Sequence, residues 1–226
     1  MDVSGIAAIV TGGASGLGEA TARLLTEKGA LVAIFDLNED KGNQVAGDIG
    51  GDFFQCEVSD TASVQSALDA AKEKNGAARI LINCAGIAAG SRTVGRDGAH
   101  SLELYTKIVS VNLIGTFNVT RLFAAQACAA EPLNDDGERG VVVMTASVAA
   151  YEGQIGQVAY AASKGGIVGM TVPIARDLSN RGVRVCTIAP GVLLTALADG
   201  LSDEALAGLN ASVPFPQRMG HASEYA

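Results

Sequence analysis

Tryptophan is absent from this 226-residue chain, and aromatic residues of all kinds make up only 4% of it. Histidine occurs only at His100 and His221. The four cysteines, Cys56, Cys84, Cys128 and Cys186, form no CxxC pair and cluster with neither histidine. That pattern argues against a metal site and against a disulfide framework, and it fits a reducing, cytoplasmic setting. Positive charge is also scarce. Sixteen Lys and Arg face 24 Asp and Glu, a net charge of -8, which disfavours nucleic acid and anionic membrane as partners. No apolar run reads as long enough to span a bilayer, and MDVSGIAAIV enters a strand-like run too soon to hold a signal or transit peptide. No linker or shift in composition divides the chain, so it is expected to form one domain.

What remains is a globular composition, 48% hydrophobic and 18% charged, with 28 glycines placed at particular points and not in low-complexity runs. Short apolar runs at 6–11, 31–36, 52–58, 79–85, 140–147 and 183–190 alternate with helical patterns near 16–28, 39–48, 61–75, 103–130 and 157–181. The apolar runs are continuous and do not alternate with polar residues, as in parallel strands buried on both faces. Repeated β-α order then predicts an α/β fold, a doubly wound parallel sheet of the Rossmann kind. After a short helix expected at 202–209, HASEYA begins another with Ser223 as its N-cap, and the sequence stops there, so a final strand is expected to be missing.

The first strand runs into TGGASGLGEA and then a helix, the context that binds a pyrophosphate. Gly12 allows the tight turn, Gly16 lets backbone approach phosphate, and Gly18 allows helix and sheet to pack closely. Ser15 and Leu17 lie between those glycines and are counted with them against the cofactor. Asp36 ends the second strand, eighteen residues past Gly18, where a carboxylate accepts from ribose hydroxyls and repels a 2′-phosphate. With no Arg or Lys at 37–40 (Lys41 comes next), NAD is the expected cofactor. Glu57 and Val58 are placed beside the adenine. The small stretch Asn83, Cys84, Ala85 and Gly86 lets the cofactor lie against backbone.

Ser147 ends the fifth run, and Tyr160 and Lys164 follow four apart on one helical face. A phenol titrates ordinarily near pH 10. A neighbouring ammonium favours the phenolate, so Tyr160 can exchange a proton with a substrate alcohol or carbonyl, while Ser147 hydrogen-bonds the substrate oxygen. Tyr-x-x-x-Lys alone is common; its meaning comes from standing after a nucleotide-binding turn and a serine at a strand end.

In order, TGGASGLG, NCAG, the set Ser147, Tyr160 and Lys164, and the APG at 189–191 resemble the short-chain dehydrogenase/reductase family over essentially the whole chain. The resemblance implies a fourth catalytic member, Asn112, helping to hold a water in a proton relay reached through Lys164. It also implies a second task for Lys164, binding the nicotinamide ribose, and cofactor contacts from Pro190, Gly191, Leu193 and Thr195. Within the family, LIGTFNVTRL, GIAAGSRTVGRDGAHSLELY and NASVPFPQRMG resemble the NAD-dependent branch that oxidises short 3-hydroxyacyl-CoA thioesters and some hydroxysteroids. That branch implies a homotetramer and admits the mitochondrial matrix as an alternative location. Glu57 stands where the family usually carries Asp, and the segment expected to form the seventh strand is absent.

Small residues around Tyr160 and Lys164 suit close packing of their helix. The leucine-rich 192–216, including Leu193, Leu194, Leu197 and Leu201, reads as a lid for an acyl chain or steroid, and Arg92, Arg96 and His100 as contacts for CoA phosphates. Two other readings stand beside the acyl-CoA one: a different alcohol dehydrogenase or 3-oxoacyl reductase, and a non-catalytic NAD-binding scaffold.

Overall fold

The computed structural model describes residues 1–96, 98–194 and 203–226. Six parallel strands form the central sheet: β1 (Ala7–Thr11), β2 (Leu31–Asp36), β3 (Asp52–Gln55), β4 (Ile80–Asn83), β7 (Gly140–Thr145) and β8 (Val183–Ile188), in the order β3-β2-β1-β4-β7-β8. The order reverses between β1 and β4, and at such a switch point the strand ends open a crevice. Between the strands run α1 (Gly16–Glu27), α2 (Glu39–Ile49), α3 (Thr61–Asn75), α4 (Leu102–Val109), α5 (Thr116–Ala129) and α6 (Val158–Ser179). Two short pairings lie outside the sheet: a hairpin of β5 (Val94–Gly95) and β6 (Gly98–Ala99), and a parallel contact of β9 (Leu193–Leu194) with β10 (Gly220–His221). Helices α7 (Asp203–Ser212) and α8 (Ala222–Tyr225) close the chain.

Local chemistry sets the helix ends. Asn38 accepts from Lys41 N–H at 3.0 Å to start α2, and Gly50 ends it in the left-handed region. Asp60 starts α3 and Ser101 starts α4 in the same way. The sheet then sorts apolar side chains by strand parity. Ile9, Leu81, Val142 and Met144 pack with Val119, Phe123 and Ile167 on one face. Ala8, Val10, Ile80 and Ile82 pack with Ala22 and Val45 on the other.

Four features depart from the sequence expectations. The helix expected at 103–130 is interrupted by a π-helical turn, Ser110–Gly115. The stretch Leu102–Ala129 is also long and apolar enough to cross a membrane by length and composition. Its Val119, Phe123 and Ala127 are buried in the sheet's core, which makes it a core helix. β8 is an edge strand, and Arg184, Cys186 and Ile188 are exposed, so it is not buried on both faces. The N-cap of α8 is His221 and not Ser223: Glu224, gripped by Arg218, accepts from His221 N–H at 2.7 Å, which starts the helix at Ala222.

Candidate active site

A groove of about 340 Å³ opens at the switch point. Its floor is the turn after β1. Gly12 has φ +67 and Gly16 φ +56, a region that favours glycine. A Cβ on Gly12 would lie 2.8 Å from Ala85 N, so the turn and the segment after β4 fit together only without one. Thr11 fastens that contact, its Oγ1 accepting from Ala85 N–H at 3.1 Å. No side chain caps the N-terminus of α1, which leaves backbone N–H groups facing the groove.

Asp36 sits on the rim with both carboxylate oxygens engaged, accepting from Ala14 N–H at 3.1 Å and Asn38 N–H at 3.0 Å. Those bonds hold it in place without any cationic side chain. Glu57 lines the next wall, and its Oε1 accepts from Ser59 N–H and Oγ–H at 3.1 and 2.8 Å. Val58, Cys84, Ala85 and Gly86 complete the lining named in the sequence. Asn83 does not join it. Only 3% exposed, it points under the sheet and donates to Thr120 Oγ1 at 3.1 Å, fastening β4 to α5.

Lys164 is 5% exposed, and its ammonium donates to the carbonyl of Thr145 at 2.6 Å. A Cβ on Gly86 would lie 3.8 Å from Lys164 Nζ and 3.2 Å from Asn112 Oδ1, so both groups stand at the groove's inner end. The same nitrogen is 5.6 Å from the centre of the Tyr160 ring. Burial lowers the ammonium from an ordinary 10.5 to about 8, with the neighbouring Cys84 pulling slightly upward. Burial also pushes the Tyr160 phenol above its ordinary value, and a hydrogen bond with Ser147 opposes that. In the chain by itself the desolvation of the phenol therefore outweighs the Ser147 hydrogen bond, and the ammonium faces the ring while donating to a backbone carbonyl.

Ser147 lies on extended backbone just past β7. Its Oγ accepts from Ala149 N–H at 3.1 Å, leaving the hydroxyl proton free to be donated. Asn112 is fully buried in the π turn. Its Oδ1 accepts from Ile87 N–H at 2.8 Å, and its Nδ2 donates to Ile87 O at 2.9 Å and to Ser163 Oγ at 3.1 Å. Ser163 Oγ–H in turn donates to Tyr160 O at 2.7 Å, which ties the loop after β4 to the helix that carries Tyr160 and Lys164. Both amide N–H groups of Asn112 are thereby committed, and its backbone carbonyl accepts from Thr116 Oγ1 at 2.7 Å.

Pro190 reaches the site through its carbonyl, which accepts from Val148 N–H at 3.0 Å beside Ser147. Gly191 follows it, and Leu193 is engaged in the β9–β10 contact. None of the three lines the groove. Thr195, Leu197 and Leu201 lie outside the described residues. Of the lid's remaining side chains, Phe215 is 91% exposed and Leu194 47%. Arg92 and Arg96 are exposed, whereas His100 packs edge-on against Tyr105. Phe35, Leu37, Cys56, Ile87 and Val111 also line the groove and were not singled out from the sequence. Adjacency was the available signal, since Leu37 follows Asp36 and Ile87 follows NCAG. Among the described residues no three His, Cys, Asp or Glu side chains converge as metal ligands.

The groove's residues fit a dinucleotide. There is a cradle that a Cβ would fill, uncapped helix N–H groups for a pyrophosphate, and a carboxylate on the rim for a ribose. Residues 6–205 match the model of the short chain dehydrogenase family. The chain is 50% identical over 222 residues to a fly protein (Drosophila melanogaster) named 3-hydroxyacyl-CoA dehydrogenase type-2, covering 96% of this chain and 87% of that one. The human protein of the same name is 48% identical over 228 aligned positions, covering 99% and 87%. The crystal structure of 3-hydroxyacyl-CoA dehydrogenase type-2 from Mycobacterium avium superposes with a TM-score of 0.92 at 46% identity, over 98% of this chain and 86% of that one. The chain thus belongs to the short-chain dehydrogenases, nicotinamide-dependent oxidoreductases that act on CH–OH groups.

Proposed function

We propose that this chain oxidises short-chain 3-hydroxyacyl-CoA thioesters to 3-oxoacyl-CoA with NAD, using Tyr160 as the general base. The observation that carries the reading is the buried Lys164 with the half-buried Tyr160 and Ser147, set beside Gly86 at the inner end of a groove whose outer rim bears Asp36. The relatives named for this substrate, at about half identity across nearly all of the chain, support the choice of substrate.

Gly12, Ser15, Gly16, Leu17 and Gly18 would hold the pyrophosphate. Asp36 would hold the adenosine ribose, Glu57 and Val58 would flank the adenine, and Ala85 and Gly86 would back the inner ribose with Lys164. When bound, a nicotinamide cofactor would supply the acceptor for the hydride leaving the carbinol carbon and, in its oxidised form, further positive charge in the site. Ser147 donates its hydroxyl proton in a hydrogen bond to the substrate oxygen as the C–O bond gains double-bond character. Tyr160 takes the O–H proton of the alcohol, and that electron pair becomes the carbonyl π bond. Lys164 favours the phenolate that begins this step. The 2′-phosphate of NADP would meet the Asp36 carboxylate, which argues for NAD.

Val158 and Val172 on α6, Phe117 on α5 and Ile114 in the π turn before it expose apolar side chains. They support assembly into several copies, four by the family resemblance, and four unpaired thiols suit a reducing compartment, cytoplasm or mitochondrial matrix. The test is NADH formation, followed by absorbance, with 3-hydroxybutyryl-CoA against a hydroxysteroid. The thioester is expected to turn over faster, and Tyr160→Phe should lower kcat about 10²–10⁴-fold with NAD binding retained. NAD binding without turnover of any alcohol would leave only a nucleotide-binding scaffold.

A further inference from the structure

Tyr225, on α8, carries a partly buried phenol that the groove and the reacting pair leave unused. Helix α8 packs on α1, across the sheet from α6. The Tyr225 hydroxyl lies 2.7 Å from Thr145 Oγ1 and 3.7 Å from Cys84 Sγ, and Thr145 Oγ1–H donates to Cys84 Sγ at 3.6 Å. With the Thr145 hydroxyl proton spent on Cys84, the Tyr225 O–H donates to Thr145 Oγ1. Burial pushes both the Tyr225 phenol and the Cys84 thiol up, so both are neutral at physiological pH and donors are what the cluster contains.

Thr145 is the last residue of β7 and is engaged from both sides of the sheet. By strand parity its side chain shares the face of Val141 and Val143, where α1 packs. Its carbonyl accepts from Lys164 Nζ at 2.6 Å, and Lys164 comes from α6 on the opposite face. A threonine is stiff at χ1, so pinning Oγ1 also restrains the peptide carbonyl beside it. Lys164 has a long flexible stem, and a short charge-assisted bond to a restrained acceptor is what sets where its ammonium stands. Thr145 is also two residues before Ser147, and its neighbour Ala146 donates to Ile188 O at 2.8 Å, so the same strand end carries the serine.

We infer that Tyr225 is a positioning residue for the proposed reaction: its hydroxyl fixes Thr145, and Thr145 fixes the ammonium of Lys164 beneath Tyr160. The inference rests on the reading of Tyr160 and Lys164 given above. It assigns Tyr225 no contact with the substrate or the cofactor.

The test is Tyr225→Phe in the full chain, which removes one oxygen and keeps the ring that packs on α1. Two readouts respond to positioning and not to mere anchoring of α8. The first is the Lys164 titration, followed by NMR of its labelled side chain without substrate. Loosening the carbonyl weakens the bond that favours the ammonium, so the midpoint should fall by about half a pH unit or more. The second is kinetic: kcat should fall about fivefold, the worth of one net hydrogen bond, with KM for the alcohol within about twofold and the acid limb of the rate profile moved to higher pH. Thr145→Val should reproduce both changes and Thr145→Ser should restore them; this pair carries the test if Tyr225→Phe does not fold. A variant that melts earlier yet keeps the wild-type titration and kcat overturns the inference. A wild-type chain that turns over no alcohol overturns the proposed function instead, and the titration still decides whether Tyr225 acts on Lys164.

Discussion

Replacing Gly18 by alanine sets two known effects against each other. Gly18 is in the first turn of α1, at a helical φ, where alanine would ordinarily gain about 0.8–1 kcal/mol in helix propensity. The added Cβ would fall 2.6 Å from Gly12 C and 3.0 Å from Gly13 N, and closer still to Gly12 O. All three atoms belong to the turn after β1, which has no side chain to swing aside, so backbone must move. Overpacking costs about 1–3 kcal/mol, and contacts this short against backbone belong to the upper part of that range, about 2–3 kcal/mol, so the clash wins and Gly18→Ala should be destabilised by about 1–2 kcal/mol net. For a chain of this length that lowers Tm by roughly 2–8 °C. Gly47→Ala is the matched control. It lies within α2, with nothing within 4 Å of the added Cβ, and should gain up to about 1 kcal/mol. Urea melts read the stability of both, and a titration of NADH, followed by the fluorescence of its reduced nicotinamide, reads the turn. Gly18→Ala should also lose at least about tenfold in affinity, since the displaced backbone is the proposed phosphate cradle. If Gly18→Ala matches the wild type in both measurements, close packing of α1 on the turn is not what the glycine provides.

Two further outcomes follow from the site. Asp36→Arg removes the acceptor for Ala14 and Asn38 N–H and replaces the carboxylate with a cation. KM for NAD should rise at least about tenfold and the kcat/KM ratio should shift toward NADP; an unchanged ratio refutes the role given to Asp36. Lys164 titrates near 8 in the folded chain against 10.5 when free, so between those values the unfolded chain binds more protons and stability rises with pH. Below about pH 8 the buried charge costs the fold its full amount, on the order of 3 kcal/mol, and raising the pH toward 10.5 relieves it. Urea melts of wild type and Lys164→Met at pH 7 and pH 10 should therefore differ in slope, with only the wild type gaining this increment. Parallel pH dependences would show that the ammonium is not held down by burial.

What was legible in the sequence is what is local in the chain. β2 and α3 run from Leu31 to Asp36 and from Thr61 to Asn75, as their apolar patterns and turn residues indicate, and Asp60 and Gly76 mark the ends of α3. β3 and β4 stop at Gln55 and Asn83, short of the apolar runs that announced them. The leftover residues, Cys56 to Val58 and Cys84 with Ala85, leave the ladder to line the groove. Hydrophobicity alone does not separate a buried strand from a buried groove wall. The π turn at Ser110–Gly115 was hidden for a similar reason, since one extra residue in an apolar helix barely disturbs its period.

The reacting pair shows the limit most clearly. An i,i+4 spacing places Tyr160 and Lys164 on one face, but it does not say which acceptor takes the ammonium's protons. That acceptor is a backbone carbonyl at Thr145, a group that every residue carries and no motif can mark. Its own support comes from Tyr225, 80 residues further along the chain. Because the ammonium is committed to the strand and not to the phenol oxygen, burial dominates the phenol of Tyr160, which stays protonated at neutral pH in the chain alone. The same two residues therefore form a ready proton donor toward a carbonyl, and they become a base toward an alcohol only when further positive charge arrives beside the ring. Under the proposed mechanism, the positive charge of an oxidised nicotinamide would favour the phenolate as base, and its loss on reduction would leave the phenol as donor.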